Sequence, residues 1–135
     1  MSVTATAIIA LVMWSVVLTF VLLFVRVGSV MRGEKALNNF QPDGKDLSDT
    51  GFRVTRAHGN SLEYLALPVG IMLTAILTGQ EDVTAGLAMV YVGCRVGQSV
   101  IHMISTAQPM VMLRATLFTV QIGLLIYWAL ALTGM

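Results

Sequence analysis

The sequence predicts an all-α integral membrane protein, folded as a bundle of four transmembrane helices. Of its 135 residues, 56% are hydrophobic and only 11% are charged, whereas a soluble domain carries roughly 25% charged residues. Four segments are long and apolar enough to cross a membrane, and three of them carry polar side chains at helical spacing. At this length we expect one domain, covering residues 1–135.

The first predicted span covers about residues 3–25 and contains no charged residue. A span needs about 20 mostly apolar residues, because the hydrocarbon core is roughly 30 Å thick and a helix rises about 1.5 Å per residue. This run is longer than the apolar region of a signal peptide, and no small-residue cleavage site follows it. We therefore interpret it as a retained membrane helix.

The segment of about residues 26–53 is predicted to be an aqueous loop, because it contains glycine, proline and most of the charged residues. At its end, the sequence Ser-Asp-Thr at residues 48–50 predicts the N-cap of a helix that leads into the second span, about residues 57–78. Within that span Pro68 predicts a kink, because proline has no N–H to pair with the carbonyl of Tyr64.

The third span is predicted at about residues 83–104 and the fourth at about residues 112–132. Only residues 79–82 separate the second span from the third, so these two helices must be antiparallel neighbours. A link over residues 105–111, which includes Pro109, precedes the fourth span.

The basic residues predict the orientation in the membrane. Six of the eight lysines and arginines lie between residues 26 and 56, whereas the link at residues 79–82 has two acids and no base. Because cytoplasmic loops carry an excess of basic residues, we expect the long first loop in the cytoplasm and both termini on the opposite side.

Several functional classes are excluded. A net charge of +1 with scattered basic residues argues against a nucleic-acid partner. The single cysteine, Cys94, excludes an internal disulfide and a CxxC metal site, and we interpret it as a small buried apolar side chain. No nucleotide-binding, zinc-protease or serine-hydrolase motif occurs, and we expect no metal.

Polar side chains recur every three or four residues along the last three spans, so each set lies on one helix face. The second span and its approach carry Arg53, Arg56, Asn60, Glu63 and Tyr64. The third span carries Tyr91, Arg95, Gln98, Ser99 and His102. The fourth span carries Arg114 and Gln121.

Three charged residues, Glu63, Arg95 and Arg114, fall within the predicted spans, and each costs about 2.5–3.5 kcal/mol there on insertion scales. Counting from the non-cytoplasmic helix ends places all three at about 20–27 Å, in one band of the cytoplasmic half. Two interpretations are open. Glu63 pairs with an arginine only to hold helices together, or the arginines, Arg56 included, bind an anionic ligand. The arginines outnumber the single acid, Glu63, and this excess of positive charge favours the interpretation that they bind an anionic ligand.

Residues 56–64, with the sequence RAHGNSLEY, resemble the motif that opens the second span in the MAPEG family, membrane-associated proteins in eicosanoid and glutathione metabolism. Nearly the whole chain resembles that family, since the four spans and the long first loop also match. The resemblance implies a homotrimer of four-helix protomers, with glutathione bound between neighbouring protomers on the cytoplasmic side. The matching residues that it assigns to glutathione are Arg56, Asn60, Glu63, Tyr64 and Arg95.

The chemistry of glutathione fits this assignment, because its two carboxylates suit arginines and its ammonium group suits Glu63. Arg114 begins the sequence RATLF, which resembles the RALxF motif of the microsomal glutathione transferase branch; the chain looks closest to a bacterial-type member. The resemblance implies that Arg114 is catalytic, because a guanidinium stabilises the thiolate and lowers the pKa of the thiol. Further expected contacts are His58, Gln98, His102, Arg26 and Arg32.

The leukotriene-synthase branch has tyrosines where this chain has Gln98 and His102, which disfavours specialised eicosanoid synthesis. The sequence therefore predicts a membrane-bound glutathione transferase or peroxidase, acting on lipophilic electrophiles or lipid hydroperoxides that arrive from the surrounding membrane lipid. The alternative is a non-catalytic scaffold or binding subunit of the same fold. A small four-span exporter is disfavoured, because it needs an acid in the first span and this one has none.

Overall fold

The computed structural model describes residues 1–34, 41–45, 47–105 and 107–135; the middle of the predicted loop, residues 35–40 with Lys35, lies outside them, as do residues 46 and 106. The described residues form helices and connecting turns, with no strand. The helices are α1 (Val3–Met31), α2 (Asp49–Glu63), α3 (Ala66–Leu77), α4 (Glu81–Ala85), α5 (Ala88–Ile104) and α6 (Gln108–Thr133).

Helix α1 is one continuous helix that begins where the side chain of Ser2 accepts a hydrogen bond from the N–H of Ala5. It extends beyond residue 25, so the prediction that a loop begins at Arg26 was wrong. Residues 26–31 contain no proline, and the first backbone that departs from helical geometry is Gly33, with a φ of 75°. A glycine in this left-handed conformation is a common helix stop.

Helices α2 and α3 follow the predicted second span with a break at Tyr64 and Leu65, the kink that Pro68 predicted. The predicted N-cap is also confirmed, because the Oγ of Ser48 accepts a hydrogen bond of 3.2 Å from the N–H of Gly51. The helix begins at Asp49, so the end of the predicted loop is helical.

The predicted third span is not one helix, because residues 86 and 87 separate α4 from α5. Gly86 is a weak helix former, and Thr84 ties the short α4 to α1 through a contact of 2.8 Å between its hydroxyl and that of Thr4. Helix α6 begins at Gln108 rather than at residue 112, so Pro109 lies in its first turn. Proline is tolerated there because the first N–H groups of a helix need no helical partner.

Within the described residues, three stretches are long and apolar enough to cross a membrane: Val3–Met31, Asp49–Leu77 and Gln108–Thr133, the second of them comprising α2 and α3. Large apolar side chains also cover the outer surface, with Phe24 74% exposed and Leu77 78% exposed. Such a surface is expected of an integral membrane protein, because the solvent around it is hydrocarbon. Helix α5, with 17 residues, is shorter than these three stretches.

Helix α5 lies at the centre of the bundle and contacts α1, α2 and α6. Around its first turns the core is apolar, and the rings of Tyr91 and Trp128 pack with their centroids 5.8 Å apart. Further along α5 the buried side chains are polar, including Arg95 and Gln98. The fold therefore divides into an apolar end and a polar end, and the polar end adjoins the first loop.

The last part of that loop folds back against α2. Gly44 is buried with a φ of 74°, and a Cβ at this position would lie 2.5 Å from the Oγ1 of Thr55. This close approach brings the neighbouring Asp43 to the polar end of the bundle.

We expect Gly44→Ala to lower the thermal unfolding midpoint of the detergent-solubilised protein. The left-handed φ costs about 1–2 kcal/mol for alanine, and the contact with Thr55 adds about 1–3 kcal/mol of overpacking. Gly33→Ala is the matched control, because Gly33 has a φ of 75° and no atom within 4 Å of the added Cβ. Equal losses for the two variants would contradict the close approach of the loop to α2.

Candidate functional site

Helix α5 directs two polar side chains into the bundle. Arg95 is 3% exposed and Gln98 is 4% exposed, one helical turn further on. Because a helix places residues three or four apart on the same face, both side chains point toward the gap between α2 and α6. The predicted convergence of the polar faces of the last three spans is confirmed for the residues that hydrogen bonds join across α2, α5 and α6, namely Asn60, Arg95, Gln98 and Gln121.

A network of hydrogen bonds joins the three helices at this level. The Nη1 of Arg95 donates to the Oδ1 of Asn60 at 3.1 Å, and the Nε2 of Gln98 donates to the same oxygen at 3.4 Å. The Nε2 of Gln121 donates in turn to the Oε1 of Gln98 at 2.8 Å. The network therefore connects α2 to α5 and α5 to α6 through polar side chains that form hydrogen bonds with one another inside the bundle.

Aromatic rings close one side of the network. The guanidinium carbon of Arg95 lies 5.9 Å from the centroid of the Tyr64 ring, a cation–π distance. The Tyr64 ring in turn meets the ring of Phe118 edge-on, with 5.1 Å between the centroids. Tyr64 therefore fixes the position of Arg95 while it connects α2 to α6.

Beside the network lies a cavity of about 290 Å³, here called the cationic cavity. It is lined by Arg56, Asn60, Tyr64, Gln98, His102, Val111, Arg114, Ala115 and Phe118. Its two guanidinium groups, from Arg56 and Arg114, face no carboxylate among these lining residues. Such a cavity suits an anionic group, because guanidinium groups bind carboxylates through paired, charge-assisted hydrogen bonds.

A second cavity of about 240 Å³, here called the acidic cavity, adjoins the first. It is lined by Pro42, Asp43, Thr55, Arg56, Gly59, Asn60, Glu63 and His102. Arg56, Asn60 and His102 line both cavities, so the two cavities are neighbours that share these side chains. The acids of the second cavity, Asp43 and Glu63, suit an ammonium group.

The interpretation that Glu63 pairs with an arginine to hold the helices together is not supported. Where both partners are described, the ion pairs join Arg32 to Glu34 and Lys45 to Asp43. Glu63 is exposed and lies in the acidic cavity instead.

Several residues expected at the site lie elsewhere in the single chain. The Nε2 of His58 lies 3.0 Å from the Oγ1 of Thr19, on the side of α2 that faces α1. Arg32 pairs with Glu34 and lines a separate cavity between α1 and α2. Arg26 lies on α1 and lines neither cavity of the site. Their contact with glutathione stays a prediction.

Sequence reasoning gives no role to Asp43 or to Gln121. Asp43 has no helical periodicity to mark it, and only the fold of the loop brings it to the acidic cavity. Gln121 shares a helix face with Arg114, but that pattern alone does not indicate what it contacts. The signal that distinguishes Gln121 is its complete burial together with its hydrogen bond to Gln98.

Together the fold and the site define a helical integral membrane protein with a cation-rich polar site inside one end of its bundle. A sequence model of the MAPEG family matches residues 4–134. The chain therefore belongs to the MAPEG family, which includes glutathione transferases and peroxidases as well as non-catalytic members. No curated protein and no solved structure gives a significant match.

We expect Arg95→Met to lower the thermal midpoint of the protein purified without added ligand. The variant loses the 3.1 Å hydrogen bond from the Nη1 of Arg95 to the Oδ1 of Asn60, which joins α5 to α2, and a hydrogen bond to a charged group contributes about 1.5–3 kcal/mol. Arg53→Met is the matched control and should lower the midpoint less, because Arg53 is only half-buried and water can replace its 3.0 Å hydrogen bond to the carbonyl of Met103. A midpoint for Arg95→Met that equals or exceeds that of the parent would refute this expectation.

Proposed function

We propose that this protein is a membrane-bound glutathione transferase or peroxidase. The observation that carries the proposal is a pair of adjoining cavities that share Arg56, one of which adds Arg114 and the other Asp43 and Glu63. Together the cavities fall within the range of about 300–1,000 Å³ that small-ligand sites occupy. The substrates are lipophilic electrophiles or lipid hydroperoxides that enter from the bilayer.

Glutathione matches this charge pattern, since it has two carboxylates and one ammonium group. Arg56 binds a carboxylate in the cationic cavity, with Asn60 and His102 as hydrogen-bonding partners. Glu63 binds the ammonium group in the acidic cavity, with Asp43 beside it. A single anion such as a fatty acid would leave the acidic cavity without a partner, so the charge pattern favours a zwitterionic peptide.

Arg114 is the proposed catalytic residue. It is half-buried at the start of α6, on the wall of the cationic cavity that faces α2. Glutathione supplies the thiol for the reaction, and a guanidinium beside that sulfur favours its ionised, nucleophilic form. The apolar surroundings of the bundle strengthen this effect, because charges interact more strongly where water is excluded.

The proposal includes a fourth membrane crossing, formed by α4 and α5 in sequence, and a homotrimer. Arg56 and Glu63 are exposed in the single chain, although both carry charges that a lipid environment disfavours. A neighbouring copy that covers this face shields both charges and brings Arg26 or Arg32 of its own α1 near the site. The polar end faces the cytoplasm, as the excess of basic residues there predicts.

We expect calorimetric titration of the detergent-purified protein with glutathione to give heat of binding at millimolar affinity or tighter. Arg56→Ala should weaken binding about 10-fold or more, because a hydrogen bond to a charged group contributes about 1.5–3 kcal/mol. Arg53→Ala is the matched control, since this arginine lies one turn earlier on α2 and lines neither cavity. A silent titration of the parent protein would favour the non-catalytic scaffold.

We expect Arg114→Ala to bind glutathione nearly as well as the parent but to lose conjugation of a model dinitrobenzene electrophile. The reason is that Arg114 stabilises the thiolate, whereas Arg56, Glu63 and Asn60 still hold the peptide. The comparison is of initial rates at saturating glutathione. Thr116→Ala is the control on α6, because among the described residues the Thr116 hydroxyl donates only to the Met112 carbonyl of its own helix. Equal rates for Arg114→Ala and the parent would refute the catalytic assignment.

A further inference from the structure

The buried amide network consists of the side chains of Asn60, Gln98 and Gln121. It runs from a group that only donates hydrogen bonds to a group that only accepts them, and these two ends determine how each amide is oriented. At one end stands the guanidinium of Arg95, which has only donors. At the other end stands the backbone carbonyl of Leu117, which has only acceptors and receives a 3.1 Å hydrogen bond from the Nε2 of Gln121. Each amide between these ends has one oxygen and one nitrogen. Only one orientation of each amide therefore gives every contact along the network both a donor and an acceptor.

The orientation follows step by step along the network. The atom of Asn60 that faces Arg95 must be its oxygen. Because Gln98 also approaches that oxygen, it must present its nitrogen to Asn60 and its own oxygen to Gln121. Gln121 therefore presents its nitrogen both to Gln98 and to Leu117.

The consequence at the site concerns the amide nitrogen of Asn60. The Oδ1 of Asn60 accepts two hydrogen bonds and has no further lone pair. Its NH₂ group has no hydrogen-bond partner among the described residues, and Asn60 lines both cavities. The side chain therefore offers two donors and no acceptor to whatever binds there.

One acceptor of the network is left without a partner. Gln121 is fully buried, yet its Oε1 has no hydrogen-bond partner in the described part of the chain, although buried amides usually pair both ends. Turning the Gln121 amide over would place its oxygen against the Oε1 of Gln98 and against the Leu117 carbonyl. The orientation with the unpaired Oε1 is therefore the one that preserves the direction of the network.

We infer that Gln121, acting through Gln98, is a positioning residue that fixes Asn60 with its NH₂ group toward a carboxylate of the bound peptide. This inference rests on the proposed function and specifies it: Asn60 recognises a carboxylate and not the ammonium group. Gln121 itself lines neither cavity, so it acts only through its neighbours.

Asn60→Asp tests the direction, because the two alternatives predict changes of opposite sign. The variant has nearly the same shape and keeps an oxygen for Arg95 and Gln98, but it replaces the NH₂ group by a second oxygen. Glutathione affinity, measured by calorimetry on the detergent-purified protein, should fall at least 10-fold. Unchanged or tighter binding would mean that Asn60 receives a hydrogen bond from the ammonium group, and it would overturn the inference.

Gln121→Met tests the positioning role, because methionine has similar length but no donor for Gln98. The ligands are glutathione and its two monomethyl esters, each of which lacks one free carboxylate. In the parent, the ester that blocks the carboxylate at Asn60 should bind more weakly than glutathione. The ratio of the dissociation constant of this ester to that of glutathione should be at least threefold smaller in Gln121→Met than in the parent. The same ratio for the other ester should stay constant.

A merely structural role for Gln121 would weaken all three ligands by the same factor, and unchanged ratios would overturn the inference. Thr119→Ala is the control on α6, because its hydroxyl donates only to the Ala115 carbonyl in the part of the chain that the structure describes, and it should leave both ratios as in the parent. If Gln121→Met does not fold, the Asn60→Asp result decides alone. A parent protein that gives no heat with any of the three ligands would instead overturn the proposed function.

Discussion

The hydrogen bond between the Arg95 guanidinium and the Asn60 oxygen is the contact around which the polar end of the bundle is built. Inside an apolar bundle no water satisfies a buried guanidinium, so its donors must find acceptors on neighbouring helices. That requirement fixes the position of α2 along the axis of α5, because the side chains of Arg95 and Asn60 must lie within hydrogen-bonding distance of each other. Gln98 and Gln121 extend the same requirement to α6.

The division of the bundle into an apolar end and a polar end explains how a small chain supports both stability and a binding site. Helix packing at the apolar end rests on Tyr91, Trp128 and their aliphatic neighbours. The polar end is less densely packed because it contains the two cavities, which share Arg56 and Asn60. Opposite charges in adjoining cavities are costly to maintain in a membrane protein, which favours a ligand that neutralises both.

Membership of the MAPEG family does not by itself separate an enzyme from a non-catalytic relative. Under the proposed function, the distinction lies in the side chains that line the cationic cavity, above all Arg114. Gln98 occupies a position where the leukotriene-synthase branch, by resemblance, has a tyrosine. In this chain Gln98 belongs to a buried amide network and donates to the Oδ1 of Asn60.

The sequence by itself determined the membrane class, the N-cap at Ser48, the kink before Pro68 and the polar helix faces, because hydropathy, capping and helical periodicity are local properties. The break after α4, the exposed position of Glu63, the approach of Asp43 and the pairing of Gln121 with Gln98 were decided by the tertiary structure. Each of these depends on how one helix is rotated against another or on how a loop folds back. Such contacts join residues far apart in the chain, and no local pattern encodes them.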